Sequence, residues 1–271
     1  EALLNLVKTY PIPYLQYNNA FTGIKHDDYL ASLKQRLLLS YTAIDTYYKC
    51  GFMYYLKKVL KLEIFNETFV TFIGSLYHKI LSCAFNETFD FEKEYQDYLA
   101  TSTYELNYKE KFLLVKLKAE LVKIIAIIKD QAQYINYNQT LYEENFNIKV
   151  HNPRYPHFDI TFTGYIDKIW YHTITDEDGN EVTYVSIVDY KTGKLDIKLD
   201  LVPYGLSLQL PVYVYLARHS NLPNVKVYGF FLQNILQNEL KADNEEEYLA
   251  QKQKALQLSG YIIDDVPAEA E

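Results

Sequence analysis

The segment "GYIDKI" carries Asp167, and "IVDYKTG" carries Asp189 and Lys191 two positions apart. Both lie in runs rich in β-branched and aromatic residues, "DITFTGYIDKIWYHTI" and "EVTYVSIVDYKTG", which read as strands. "TDEDGN" between them supplies Asp and Gly for a hairpin turn. Residues two apart on a strand point to the same side of the sheet, so Asp189 and Lys191 share a face. A hairpin closed through residues 176 to 180 brings Asp167 to the same end. Two neighbouring carboxylates repel each other unless a divalent cation lies between them, and carboxylate oxygens are the donors that Mg²⁺ or Mn²⁺ prefers. A lysine beside them can orient or deprotonate a water at the metal, or offset charge developing on a phosphoryl group. The combination suits phosphodiester hydrolysis. Taken alone, D-x-K on a strand also fits a surface ion pair with no catalytic consequence.

The elements that must position these residues follow from periodicity. Residues 27 to 62 predict a helix, with Leu33, Leu37, Ile44, Tyr48, Phe52, Tyr55 and Leu56 recurring at three- and four-residue steps. Further helices are predicted over 73 to 86 and 105 to 133, the latter on the strength of "KFLLVKLKAELVKIIAIIKD". From about residue 140 the texture turns to strands. A helix then follows near 205 to 218, where Pro211 is tolerable only in the first turn, and "VKVYGFFLQNI" reads as one more strand. The order predicts an α/β fold: a mixed central β-sheet whose antiparallel hairpin carries the site, flanked by helices. One domain over 1–271 is expected, with a mainly helical region at 1–139 that includes the helix bearing His78. A β-β-α-β core at 140–235 and an acidic C-terminal segment at 236–271 complete it.

Composition limits the alternatives. The chain has 271 residues, 49% of them apolar, with 28 Tyr against 9 Gly and 8 Pro, so it is long and apolar enough to bury a large core and is not linker-like. Cys50 and Cys83 are too few for a disulfide framework or an all-cysteine metal site, and they fit a reducing compartment. No stretch reads as a signal or a membrane span, "VKIIAIIK" being far too short, so a cytoplasmic protein with no membrane partner is expected. The N-x-T triplets at Asn66, Asn86 and Asn138 are then coincidences of composition. A first residue Glu1 in place of Met suggests an excised or processed piece. The net charge of −8 is concentrated at the end: residues 239 to 271 hold nine acidic and three basic side chains, and the rest holds 26 against 24. A nearly neutral body with a local basic groove remains compatible with a DNA partner.

Five segments in order resemble the PD-(D/E)XK nuclease superfamily, specifically its RecB-like branch, which includes the nuclease domain of AddB-type helicase-nucleases. "YTAIDTYYKCGFMYYLKKVLKLE" is similar to the branch's helical segment with a cysteine followed by aromatic and basic residues. "GSLYHKIL" resembles its G-x-x-x-H helix, "GYIDKI" and "IVDYKTG" its two acidic strands, and "GLSLQLPVYVYLA" its Q-x-x-x-Y helix. The resemblance implies a restriction-endonuclease-like core and a Mg²⁺- or Mn²⁺-dependent deoxyribonuclease. Its metal would be held by His78, Asp167, Asp189 and the Tyr190 carbonyl, with Lys191 assisting the attacking water. Gln209 and Tyr213, four apart on one helix face, would meet the substrate backbone or simply cap the sheet. It further implies exonucleolytic processing of DNA ends for homologous recombination, beside a helicase domain or a helicase-nuclease partner. A free-standing exonuclease and a catalytically decayed binding or scaffolding module are the alternatives.

The branch's iron–sulfur members use one upstream and three downstream cysteines. Cys50 occupies the upstream position, Gly51 stands where proline is frequent, and the downstream three have no counterpart here. No cluster is therefore expected in this chain, unless ligands lie beyond Glu271. Cys83 is expected in the core, and His26, His151, His157, His172 and His219 match no motif.

Overall fold

The computed structural model describes residues 25–263, apart from 35, 64–65, 136, 138, 194–197 and 237–239. Asn138, the first residue of its triplet, the chain's beginning and the last eight residues of the acidic segment lie outside the described residues.

In chain order, α1 covers His26–Ser32, β1 Arg36–Leu39, α2 Tyr41–Lys49, α3 Phe69–Cys83, α4 Phe91–Thr101 and α5 Tyr108–Ala132. Then come β2 (Gln139–Val150), β3 (Asp159–Thr175), β4 (Glu181–Lys191), α6 (Gln209–Arg218), β5 (Val225–Asn234), α7 (Glu245–Ala255) and β6 (Ser259–Ile262). The 17-residue β3 organises the sheet. Along one edge it pairs antiparallel with β2, from Tyr171↔Gln139 to Ile160↔Val150. Its other edge is shared, with β1 parallel to Asp159–Phe162 at the start and β4 antiparallel over Lys168–Thr175 at the end. β5 extends the sheet parallel to β4, and β6 closes it antiparallel to β5. The sheet is mixed, as the sequence predicts.

Helices cover both faces. On one, Phe72, Ile73, Leu76, Tyr77 and Ile80 of α3 and Leu121, Ile124 and Ile128 of α5 pack with Trp170, Val188 and Tyr190 of the sheet. On the other, Val212, Tyr213 and Leu216 of α6 pack on Ile166, Ile169, Ile187 and Phe230. A strand covered on both faces has no polar side to alternate with, and β4 is buried without interruption from Val182 to Tyr190. Gly164 lets β3 pass close under α6: a Cβ there would lie 2.6 Å from Leu216 Cδ1. Among the described residues no helix is long and apolar enough to cross a membrane.

The predicted helix over 27 to 62 is corrected. Residues 36 to 39, "RLLL", instead form β1, because leucines that alternate between half-buried and exposed find a parallel partner in Asp159–Phe162. The helical pattern resumes at Ser40, whose hydroxyl accepts from Ala43 N at 3.2 Å to cap α2. It breaks again at the extended Cys50, whose Sγ accepts from Met53 N at 3.4 Å and starts a new turn. α3 begins at Phe69, four residues before the predicted 73, because Thr68 and Thr71 form a capping box. A second box between Asn107 and Glu110 sets the start of α5. Periodicity does not predict β2, α4, α7 or β6.

Candidate active site

The hairpin closes as its turn chemistry requires. Asp176 N donates to Asn180 O at 2.9 Å, and Gly179 takes the left-handed conformation (φ 82°) that glycine adopts without steric penalty. That turn sets the β3–β4 register. The ladder runs to Lys168↔Val188, so Asp167 and Asp189 come next and face each other across it. Both are buried, at 7% and 2% exposure, in a sheet interior that should exclude charge without compensation.

The compensation is specific. Asp167 Oδ2 accepts from the Tyr190 backbone N at 2.6 Å, while Oδ1 lies 3.2 Å from His78 Nδ1. Asp189 Oδ1 accepts from Gln209 Nε2 at 2.6 Å. The Lys191 ammonium approaches Asp189 Oδ2 at 2.5 Å as an ion pair and donates to Gln209 Oε1 at 2.9 Å. Gln209, in the first turn of α6, thus holds both charged groups of the D-x-K pair, and its amide also reaches the Tyr213 hydroxyl at 3.1 Å. Tyr213 stands behind it, buried in the core. His78 comes from α3, edge-on to the Tyr190 ring at 6.0 Å. Gly74, one turn earlier, lies against Thr192 just past β4.

One acidic residue at the site belongs to none of the sequence motifs. Glu143 of β2 brings Oε1 to 3.6 Å from His78 Nδ1. The β2–β3 ladder pairs Tyr142 with Lys168 and Glu144 with Ile166 but steps over Glu143, whose φ of 48° is left-handed in mid-strand. Such a conformation is strained for a side chain with a Cβ. Its position faces Asp167. Neither a short motif nor alternation in "QTLYEENFNIKV" marks it; the only sequence signal is an acidic pair inside a strand-like segment.

The electrostatics match a cation site. Burial alone would lower the His78 imidazole, but the Asp167 and Glu143 carboxylates facing it raise it to about 10. Burial first, and then the Asp167 carboxylate, push the Asp189 carboxyl up against the opposing pull of Lys191. Donor atoms of His78, Glu143 and Asp167 lie within 4.8 Å of one another. Asp189 Oδ2 is buried and faces the Lys191 ammonium at 2.5 Å. One imidazole crowded among several carboxylates fits a divalent cation. The structure therefore brings together His78, Asp167, Asp189, Lys191 and Gln209, with the Tyr190 backbone between them.

A mixed sheet with helices on both faces, and an acidic pair and a lysine on its central hairpin, is the arrangement of a restriction-endonuclease-like nuclease fold. The sequence model of the PD-(D/E)XK nuclease superfamily matches residues 38–269, and the chain belongs to that superfamily. Several bacterial proteins named as B-type subunits of an ATP-dependent helicase/deoxyribonuclease are similar to it. That of Carboxydothermus hydrogenoformans is 28% identical over 262 residues, covering 84% of this chain and 23% of that protein. That of Clostridioides difficile is 26% identical over 287 residues (93% and 24%), and that of Clostridium acetobutylicum 24% over 290 residues (93% and 24%). The chain spans about a quarter of the length of the curated relatives it matches.

Proposed function

We propose that this chain is the nuclease part of a helicase-nuclease and hydrolyses DNA phosphodiester bonds with a divalent cation, Mg²⁺ or Mn²⁺, trimming DNA ends exonucleolytically for repair by homologous recombination. The observation that carries the reading is the facing of Asp167 and Asp189 at the buried end of the hairpin, with Lys191 and His78 against them. The relatives' name supports DNA as substrate and a helicase as neighbour. Work on DNA in such an assembly fits a cytoplasmic location.

In this reading His78, Asp167 and Asp189, with the Tyr190 carbonyl and Glu143, hold the cation, which supplies Lewis-acid polarisation of the phosphoryl oxygens. Tyr190 N–H fixes the Asp167 carboxylate through Oδ2 and leaves Oδ1 toward the site. Gln209 fixes Asp189 and Lys191 in one arrangement. Lys191 orients the attacking water and offsets the negative charge that grows on the phosphoryl oxygens. The water oxygen bonds to phosphorus as the bond from phosphorus to the leaving sugar oxygen breaks. The water gives one proton to solvent, and the leaving oxygen takes one up.

A groove of about 620 Å³ lined by Lys34, Arg36, Lys58 and Lys61 gives the DNA backbone a basic path in an otherwise acidic chain. It adjoins α2, whose Tyr41 ring packs edge-on against Tyr213 at 5.9 Å, beside the site. The test is release of nucleotides from end-labelled DNA with Mg²⁺ or Mn²⁺. Activity that vanishes in chelator and in Asp189→Ala supports the reading. Wild-type protein that binds DNA but releases nothing with either metal, alone or with a helicase partner, overturns it in favour of a scaffold.

A further inference from the structure

α5 carries two apolar faces, and the core uses one. Leu114, Leu121, Ile124 and Ile128 are buried against α3 and the sheet. On the opposite side, Tyr108, Phe112, Val115, Ala119, Val122 and Ala126 follow one another at alternating four- and three-residue steps over most of the 25-residue helix. All are exposed, with Phe112 at 63%, Val115 at 70% and Val122 at 48%. A strict four-three repeat is the seam of a helix that packs along another helix. An isolated exposed apolar residue needs no explanation, but a continuous row of them does.

The residues flanking the seam identify what would cover it. At the positions bordering a coiled-coil seam stand Lys109, Lys111, Lys116, Lys118 and Lys123. Lys109, Lys111 and Lys116 are exposed; Lys118 pairs with Glu92 at 2.7 Å and Lys123 lies over the Tyr248 ring at 4.6 Å. Flanking charges select the partner of a helical seam. A second copy would set lysines against lysines, which disfavours self-association. A lipid surface is disfavoured because beyond Phe112 the seam offers only Val and Ala, which insert little apolar volume. A helix with small or medium apolar residues in its own seam and glutamates beside it satisfies both features.

We propose that α5 is a docking surface for an acidic amphipathic helix of a protein partner, seated along Phe112, Val115, Ala119 and Val122 and held in register by Lys109, Lys111 and Lys116. The surface is separate from the nuclease site, so its test does not depend on catalysis.

Two labelled three-heptad peptides are the probes, both with leucine in the seam, one flanked by glutamate and one by lysine. Fluorescence anisotropy with the 271-residue chain should show the glutamate peptide binding about ten-fold or more tighter, with the preference falling in high salt. Lys111→Glu with Lys116→Glu should reverse the preference. Val115→Glu, at an exposed position, should abolish binding while leaving the melting temperature and DNA hydrolysis unchanged. Equal affinity for the two peptides, binding to neither, or unaltered binding by Val115→Glu overturns the proposal. Two further outcomes also overturn it: co-sedimentation with phosphatidylserine vesicles that Val115→Glu removes, in favour of a membrane, and a dimer that the same variant dissolves, in favour of a second copy.

Discussion

Glu143 stands across the β2–β3 ladder from Asp167, in a left-handed conformation with φ 48° that the pairing skips, and its carboxylate lies 3.6 Å from His78 Nδ1. A non-glycine residue held there is destabilising by about 1 kcal/mol, and such strain persists where the surroundings impose it. Glu143→Gly frees the backbone and Glu143→Ala does not. The glycine variant is therefore expected to unfold at higher urea than the alanine variant, by about 1 kcal/mol. Both should lose Mn²⁺ affinity by about ten-fold or more relative to wild type. Equal stability of the two variants would show the backbone to be unstrained, and unchanged metal affinity would remove Glu143 from the cation site.

Metal binding is expected from the donor set of His78, Glu143 and Asp167, with the buried Asp189 carboxylate beside it. Isothermal titration should give a Mn²⁺ site that Asp167→Ala and Asp189→Ala each weaken by about ten-fold or more. If both variants titrate like wild type, no cation is held there. If only His78→Ala leaves affinity intact, the imidazole is structural and the acidic pair alone forms the site.

Gln209 touches Asp189, Lys191 and Tyr213, so it is expected to act by positioning. Gln209→Ala should lower kcat by roughly 10–100-fold with KM for DNA little changed. A residue that chiefly grips the substrate backbone would raise KM instead. Tyr213→Phe keeps the ring packing against Tyr41 and Phe230 and should leave both constants near wild type. Tyr213→Ala opens a core cavity and should be destabilising by about 3–5 kcal/mol.

What the sequence reveals is what local chemistry determines. The β3–β4 hairpin is legible because its strands are β-branched and aromatic, its turn contains Asp and Gly, and its register then fixes which residues face each other. Asp167 and Asp189 stand out because they interrupt runs that are otherwise buried. β1 is illegible for the opposite reason: "RLLL" becomes a strand only through its parallel pairing with Asp159–Phe162, more than a hundred residues away in the chain. Glu143 escapes notice because its approach to His78 depends on β2 pairing with β3 and on a backbone conformation that no side-chain pattern encodes. Gln209 is visible through the family's Q-x-x-x-Y pattern, but its grip on Asp189 and Lys191 is a property of how α6 meets the end of β4.

Stability should carry a pH signature from α5 and α7. Lys252 is buried at 3% exposure with its ammonium 3.2 Å from Glu120 Oε2, and the Tyr248 hydroxyl donates to the same oxygen. Burial would raise the Glu120 carboxyl, but Tyr248 and Lys252 outweigh it and hold the group below its ordinary value. A carboxyl lowered in the folded state contributes fully above its unfolded pKa, about 4.3, and loses that contribution as pH falls through the folded value. Glu120→Gln removes the counter-charge of the Lys252 ammonium and, because the carboxylate is partly open to solvent, should be destabilising by about 1 kcal/mol at neutral pH. In urea titrations the gap to wild type should narrow below about pH 4.3. A gap that is constant with pH would mean the ion pair contributes nothing.

Lys191 separates a catalytic site from a binding surface. Its ammonium is held by Asp189 at 2.5 Å and Gln209 at 2.9 Å, so its position is fixed before substrate arrives. If it acts on the attacking water or on charge developing at phosphorus, its interaction is stronger in the transition state than in the bound ground state. Lys191→Ala should then lower turnover by about 10²–10⁴-fold while DNA affinity, measured in Ca²⁺, falls little. Lys191→Arg should also fail, because a planar guanidinium neither exchanges a proton readily nor fits between Asp189 and Gln209 as an ammonium does. A lysine that only touches phosphate predicts the reverse. Binding would then weaken in Lys191→Ala, its salt dependence would drop by about one phosphate contact, and Lys191→Arg would restore it. The first pattern is expected, read as Mg²⁺-dependent nucleotide release beside equilibrium binding, and the second would make Lys191 part of a binding surface.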